Sequence, residues 1–257
     1  MSRPPASLAS TQRFSSRVEN YVRYRPGYPP ELIALLQREC GLGASSTGAD
    51  IGSGTGKLTE LLLQTGSAVF GVEPNREMRE AGERLLQAFP RFTSVAAPAE
   101  ATTLPERSVD LITAGQAFHW FDRPRTRAEF ARILKPGGAV ALIWNDRRTE
   151  STPFLRAYEQ LLRDFATDYE QVNHRNLDLA MLREFFGGEP RGAKFPYAQR
   201  FDFAGLQGRL LSSSYAPDQG QPGHDAMRER LREIFAEHQR AGEVSCDYDT
   251  TVYWRRW

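Results

Sequence analysis

Gly52, Gly54 and Gly56 stand at alternate positions in the stretch Asp50-Ile51-Gly52-Ser53-Gly54-Thr55-Gly56-Lys57-Leu58. Residues without a Cβ at that spacing let a ligand lie directly on the main chain. Leu58, Leu61, Leu62 and Leu63 follow at helical spacing, so the open N–H groups of a helix's first turn point back at whatever occupies the glycine turn. A dinucleotide, a nucleoside triphosphate or an adenosyl compound fits such a place chemically.

The spacing separates these ligands. A dinucleotide fingerprint, G-x-G-x-x-G counted from Gly52, puts Lys57 where the third glycine belongs. A phosphate-cradling P-loop needs a glycine where Ile51 stands and a hydroxyl where Leu58 stands. What remains is a turn suited to a ligand without phosphates. Glu73 lies 21 residues after Gly52, at the end of the apolar run Val69-Phe70-Gly71-Val72, and an acid at that distance can accept both hydroxyls of a ribose.

Together with Gly71-Val72-Glu73-Pro74, and with Leu134-Lys135-Pro136-Gly137-Gly138 before Ala139-Val140-Ala141-Leu142-Ile143, the glycine turn resembles that of the class I S-adenosylmethionine-dependent methyltransferases. The closer likeness is to the small-molecule branch that includes trans-aconitate methyltransferase-like proteins. The resemblance covers residues 14 to 145 well and the remainder in outline. It implies an α/β fold: a doubly wound, seven-stranded, mostly parallel Rossmann-like sheet with its last strand antiparallel, plus a helical cap insertion. It also implies S-adenosyl-L-methionine as cofactor, with Tyr21 and Arg25 at the methionine end, Ala99 and Glu100 at the adenine edge, and Gln116 as a further contact. With these go the glycine turn and its flanks, namely Asp50, Gly52, Ser53, Gly54, Glu73 and Pro74.

Composition narrows the class. At 257 residues the chain can bury one full core, with or without an insertion. Hydrophobic content of 40% and charged content of 25% match an ordinary soluble globular chain. A formal net charge of +1 lacks the basic excess of a nucleic-acid binder, so none is expected as a partner. Lys57, Lys135 and Lys194 are the only lysines among 33 cations. Any anion site must therefore be built of guanidinium groups, which grip carboxylates in a fork and point to a carboxylated substrate. Cys40 and Cys246 make no C-x-x-C pair, which suits a reducing compartment and a cytoplasmic location. No apolar run reaches bilayer length, so no membrane partner is expected. No H-E-x-x-H or paired Cys/His spacing suggests a metal. Arg3, Arg13 and Arg17 with no acid between them have the composition of a transit peptide, but Phe14 onward already reads as part of the fold.

The elements that must position these residues follow in order. Residues 1–30 read as a tail followed by an aromatic and arginine-rich lid, with Phe14, Val18 and Tyr21 at helical spacing. Residues 31–145 read as the cofactor core: helices over 31–40 and 76–88, strands over 68–73, 92–97 and 109–115, a helix over 125–134, and a turn at Lys135-Pro136-Gly137-Gly138 into a fifth strand ending at Asn145. Residues 146–194 read as a cap of two amphipathic helices, with Asn173-His174-Arg175-Asn176 as a polar loop between them. Residues 195–257 supply two late strands and two helices.

The carboxyl end of strand 109–115 runs into Gln116-Ala117-Phe118-His119-Trp120-Phe121-Asp122, and ligands of open α/β sheets sit off such ends. The aromatics there are equally consistent with the apolar start of a helix. The resemblance sets the His119-Trp120 pair by the transferring methyl, making His119 a candidate to position or deprotonate the acceptor. Tyr215, with Ser212, Ser213 and Ser214, is a second candidate substrate contact. Expected overall is transfer of a methyl group to a small molecule, leaving S-adenosyl-L-homocysteine. The competing readings are a non-catalytic protein of the same fold and a nucleotide-dependent oxidoreductase, which Lys57 disfavours.

Overall fold

The computed structural model describes residues 18–166, 178–213 and 215–257. The tail, Phe14, the loop around His174, Leu177 and Ser214 lie outside the described residues. Seven strands form one sheet in the order β3-β2-β1-β4-β5-β7-β6. These are β1 (Thr47–Ile51), β2 (Ala68–Val72), β3 (Phe92–Val95), β4 (Val109–Gly115), β5 (Leu134–Arg147), β6 (Arg191–Phe201) and β7 (Val244–Arg256). β1 to β5 pair in parallel, and β7 runs antiparallel between β5 and β6. The expected sheet, with its last strand reversed, is the observed one.

The central strands are apolar on both sides, as strands covered by helices on two faces must be. Alternate residues of β5 divide cleanly between them. Val140, Leu142 and Trp144 enter one core, which α5 (Arg123–Ile133) and α7 (Leu179–Phe186) close with Phe130, Ile133, Leu182, Phe185 and Phe186. Ala139, Ala141 and Ile143 enter the other, closed by leucines of α2 (Pro30–Cys40) and α3 (Lys57–Gln64) and by Leu86 of α4 (Arg76–Leu86). Doubly wound topology is therefore written in the two-residue period of a single strand.

β5 is longer at both ends than the sequence suggests. Lys135-Pro136-Gly137-Gly138 is drawn into the strand, with Gly137 at φ 77°, because Gly138 and Trp257 are joined by a backbone hydrogen bond beyond the end of β7. At the other end antiparallel β7 continues the pairing as far as Arg147 opposite Tyr248.

Segment 146–194, expected as one cap, divides between two places. α6 (Pro153–Phe165) packs with α8 (Phe203–Leu211) and α9 (His224–His238) in a third cluster that includes Phe154, Leu155, Leu206, Leu210, Met227 and Leu231. α7 instead belongs to the sheet core under α5. Its apolar residues Leu182, Phe185 and Phe186 join the core of Phe118 and Trp257 rather than that of α6.

Helix α1 (Val18–Tyr24), expected as a lid, docks on α8. Gly208 makes that approach possible, since a Cβ there would stand 2.1 Å from the Tyr24 ring. No helix among the described residues is long and apolar enough to cross a membrane.

Phe118 joins the sheet to the segment that follows β4. It is 1% exposed and meets Phe121, Trp144 and Phe185 edge-on at centroid distances of 6.0, 6.1 and 4.6 Å. Phe118→Ala is expected to cost about 3–5 kcal/mol in urea unfolding. A loss below about 1 kcal/mol would show that this junction is loosely packed.

Candidate functional site

The glycine turn is folded back on β2. Gly52 N–H and Ser53 N–H both donate to the Val72 carbonyl, at 2.8 and 3.1 Å. Gly52 has φ 69°, and a Cβ on it would lie 2.5 Å from that of Ala117, so only glycine lets the turn touch the segment after β4.

Glu73 closes the arrangement. One carboxylate oxygen accepts Gly54 N–H at 2.9 Å and the other accepts Asn75 N–H at 2.8 Å. Its carboxylate thus ties the first βα turn to the second. A carboxylate can accept about four hydrogen bonds, so two acceptor positions remain for a ligand diol. Burial pushes its pKa above the usual range, against the pull of those two backbone donors. The Asn75 side chain in turn accepts Met78 N–H at 2.9 Å and starts α4.

A cleft lies over this junction, enclosing about 750 Å³ when counted with its open mouth. Gly52 and Gly54 form one wall with Glu73, Pro74, Asn75 and Met78. Pro98, Ala99 and Glu100 form a second, and Gly115, Gln116 and Ala117 a third. Trp120, Phe121 and, from α1, Tyr21 complete the lining. Gln116 is held at φ 61°, an uncommon conformation for a residue with a Cβ. Its backbone N–H donates to Ile143 O at 2.9 Å and its side-chain amide to Asn145 O at 3.2 Å, which fixes it at the carboxyl end of β4. Backbone strain of this kind clusters at functional sites.

Of the residues singled out from sequence, Tyr21, Gly52, Gly54, Glu73, Pro74, Ala99, Glu100, Gln116 and Trp120 come together around this cleft. Asp50, Ser53, Arg25, His119 and Tyr215 do not line it. Asp50 sits behind the turn, where its carboxylate accepts the hydroxyls of Thr59 at 2.7 Å and Thr113 at 2.9 Å. Ser53 faces a small crevice on the far side of the turn with Gly71 and Arg79. Arg25 lies behind Tyr21, its guanidinium 5.2 Å from the ring centre.

Residues 118–120 form a single 3₁₀ turn, which rotates successive side chains by about a third of a circle. Phe118 is buried and Trp120 reaches the cleft, while His119 is exposed, with its ring 4.8 Å from that of Trp120. Besides lining the cleft, Glu100 steadies the start of α5, where its carboxylate accepts Asp122 N–H at 2.8 Å. Asn75, Met78, Gly115, Ala117 and Phe121 also line the cleft, although the sequence motifs do not mark them as ligand contacts. Asn75 is legible as a helix cap, and a cap directly after Glu73 is the signal that could have placed it and Met78 at the ligand.

These residues fit an adenosyl ligand. The acid that would take a ribose keeps open acceptor positions, glycine main chain lies beside it, and Met78, Ala99 and Phe121 offer apolar surface for a flat ring. Residues 49–142 match the model of the methyltransferase domain family. An uncharacterized methyltransferase of Mycobacterium tuberculosis is 41% identical over 134 residues, 52% of each chain, so the chain spans about half the length of such relatives. By that match residues 49–142 of this chain form a methyltransferase domain.

A methyltransferase-like protein of Schizosaccharomyces pombe, also uncharacterized, is 25% identical over 96% of both chains. Among solved structures, a candidate type II methyltransferase of Anaeromyxobacter dehalogenans superposes with a TM-score of 0.67, at 23% identity, over 91% of this chain and 98% of its own. Phosphoethanolamine N-methyltransferase 2 of Haemonchus contortus, solved with S-adenosylhomocysteine, gives a TM-score of 0.57 at 13% identity, covering 99% of this chain and 60% of that one. At these identities the solved structures speak for the fold of the methyltransferase domain.

Burial raises the Asp50 pKa to about 6, against the opposing pull of the Thr59 and Thr113 hydroxyls. The folded domain thus holds a proton that the unfolded chain releases near pH 4. The stability contributed by this proton is fully present below that value and is lost as pH rises through about 6. Asp50→Asn is expected to gain roughly 3 kcal/mol on wild type between pH 4 and 7.5, measured by urea unfolding across that range. A pH-independent difference between the two proteins would contradict it.

Proposed function

We propose that this protein transfers a methyl group from S-adenosylmethionine to a small-molecule acceptor, a carboxylic acid being the class that its arginine-dominated cations favour. The observation that carries the reading is the Glu73 carboxylate, fixed by Gly54 N–H and Asn75 N–H at the floor of the cleft with acceptor positions to spare. In this assignment Glu73 takes the ribose hydroxyls, Gly52 and Gly54 lie against the ligand, and Ala99 and Glu100 face the adenine edge. Pro74 and Gln116 flank it, Asp50 and Ser53 support the turn, and Tyr21 and Arg25 serve the methionine end.

The bound cofactor supplies a methyl group on a positively charged sulfur that is its own leaving group. The chain supplies alignment and exclusion of water, and correct placement of two reactants alone can lower a barrier by about 7–11 kcal/mol. The acceptor atom forms its bond to the methyl carbon as the sulfur–carbon bond breaks. An acceptor that is already a carboxylate gives up no proton, so the exposure of His119 is no obstacle. Trp120 and Tyr21 then shape the acceptor side of the cleft, with His119 at its rim and Tyr215 behind.

Calorimetric titration with S-adenosylhomocysteine tests the assignment. Wild-type protein is expected to bind, Glu73→Gln to bind about 10–100-fold more weakly through loss of a charge-assisted hydrogen bond, and His119→Ala to bind as wild type. Absence of binding by wild type at millimolar ligand, or equal binding by Glu73→Gln, would sink it.

A further inference from the structure

Off the carboxyl end of β5, two buried cations, Arg25 and Arg209, have hydrogen-bond partners but no carboxylate among the described residues. Arg209 of α8 is 6% exposed. Its Nε donates to the Tyr248 hydroxyl and one terminal nitrogen donates to Ser213 Oγ, each at 3.1 Å, so both partners are neutral. Arg25 donates to the Ser212 carbonyl at 3.2 Å and stacks on Tyr21, while its Nε is buried with no acceptor among the described residues.

Glu159 of α6 is engaged at 2.6 Å by Arg147 and at 3.7 Å by Arg163. Burial acts against the charge of Arg209, but the phenols of Tyr248, Tyr158 and Tyr215 together outweigh it and raise its pKa. Burial, and after it the charge of Arg209, draws the Arg25 pKa down. Two buried guanidinium groups thus have carbonyl, hydroxyl and phenol oxygens, and no carboxylate, as their hydrogen-bond partners among the described residues. An ion removed from water in this way costs several kcal/mol unless a counter-ion joins it.

The position of the pair says where that counter-ion comes from. Tyr21 has one side in the cleft and the other under Arg25, and it feels both Glu73 and Arg209. Gln116, on the cleft wall, bonds to Asn145 two residues before Arg147, and Arg147 pairs with Tyr248 in the sheet. Arg209 therefore lies beyond Tyr21, on the side of the cleft away from α4 and the adenine wall.

We propose that Arg209 is the core of a carboxylate subsite for the methyl acceptor, its fork held by Tyr248 and Ser213 and its charge reinforced by Arg25. The proposal rests on the methyltransferase reading for what fills the cleft. Because S-adenosylmethionine carries a carboxylate of its own, two sources of the anion must be told apart. The guanidinium of Arg209 serves the acceptor; the methionine end is left to Arg25 and Tyr21.

The test follows thermal melting and calorimetry of the full chain with succinate, citrate and benzoate, each against sodium chloride at equal ionic strength. Separate titrations use S-adenosylhomocysteine and methylthioadenosine, which lacks the carboxylate. At least one of the three acids is expected to raise the melting temperature of wild type. Arg209→Gln should abolish that rise, keep S-adenosylhomocysteine affinity within threefold, and melt no lower than wild type without added acid, since it removes an unpaired charge. Ser213→Ala, which keeps the cation but frees its fork, should weaken the same acid three- to tenfold.

No specific shift with any of the three acids overturns the proposal. So does a tenfold loss of S-adenosylhomocysteine affinity in Arg209→Gln with methylthioadenosine unchanged, which would assign the guanidinium to the cofactor. An Arg209-dependent shift in a protein that binds neither adenosyl compound overturns the methyltransferase reading and, with it, the identity of the anion as an acceptor.

Discussion

One buried carboxylate holds the site together. Glu73 accepts a backbone N–H from each of two separate βα turns, so the end of β1 and the end of β2 cannot move independently. Gly52 adds a second tie, because its bare α-carbon lies against Ala117 and locks the first turn to the end of β4. Three strand ends are thus set relative to one another by contacts made on the main chain itself. The proposed transfer needs that rigidity, since alignment would be the chain's main contribution to a displacement reaction.

The rest of the molecule supports this junction. Alternating residues of β5 bury α2 and α3 on one face and α5 and α7 on the other, which fixes the depth of the strand ends. Asn75 and Asp122 cap the helices that leave the cleft, the first just after Glu73 and the second with its own N–H held by Glu100. On the opposite side the cluster of α6, α8 and α9 carries Arg209 and receives α1 through Tyr24 and Gly208. The cleft therefore has one wall built on the parallel sheet and, through Tyr21 of α1, a second that leans on this helical layer.

Much of the first wall was legible in the sequence, and little of the second. The glycine spacing, the acid at the end of β2 and the Asn75 cap are local patterns, and local patterns survive into the fold because they act through backbone geometry. His119 shows the limit: whether a residue faces a ligand depends on one turn of 3₁₀ helix, and the aromatic cluster around it was equally consistent with either orientation. The division of segment 146–194 was likewise hidden. α6 and α7 are both amphipathic, and amphipathicity states that a face is buried without saying against what. Arg25 and Arg209 are far apart in the chain, and only the docking of α1 on α8 brings their charges together.

The central claim is that an adenosyl ligand sits across the strand ends that Glu73 joins. Amide hydrogen exchange with and without saturating S-adenosylhomocysteine tests it most directly, because the claim is about backbone. Slowed exchange is expected in the segments 52–56, 73–78, 98–100 and 116–121, with 191–201 of β6 unchanged at the far edge of the sheet. Protection absent from the first two of those segments while S-adenosylhomocysteine is demonstrably bound would place the ligand elsewhere and contradict the account.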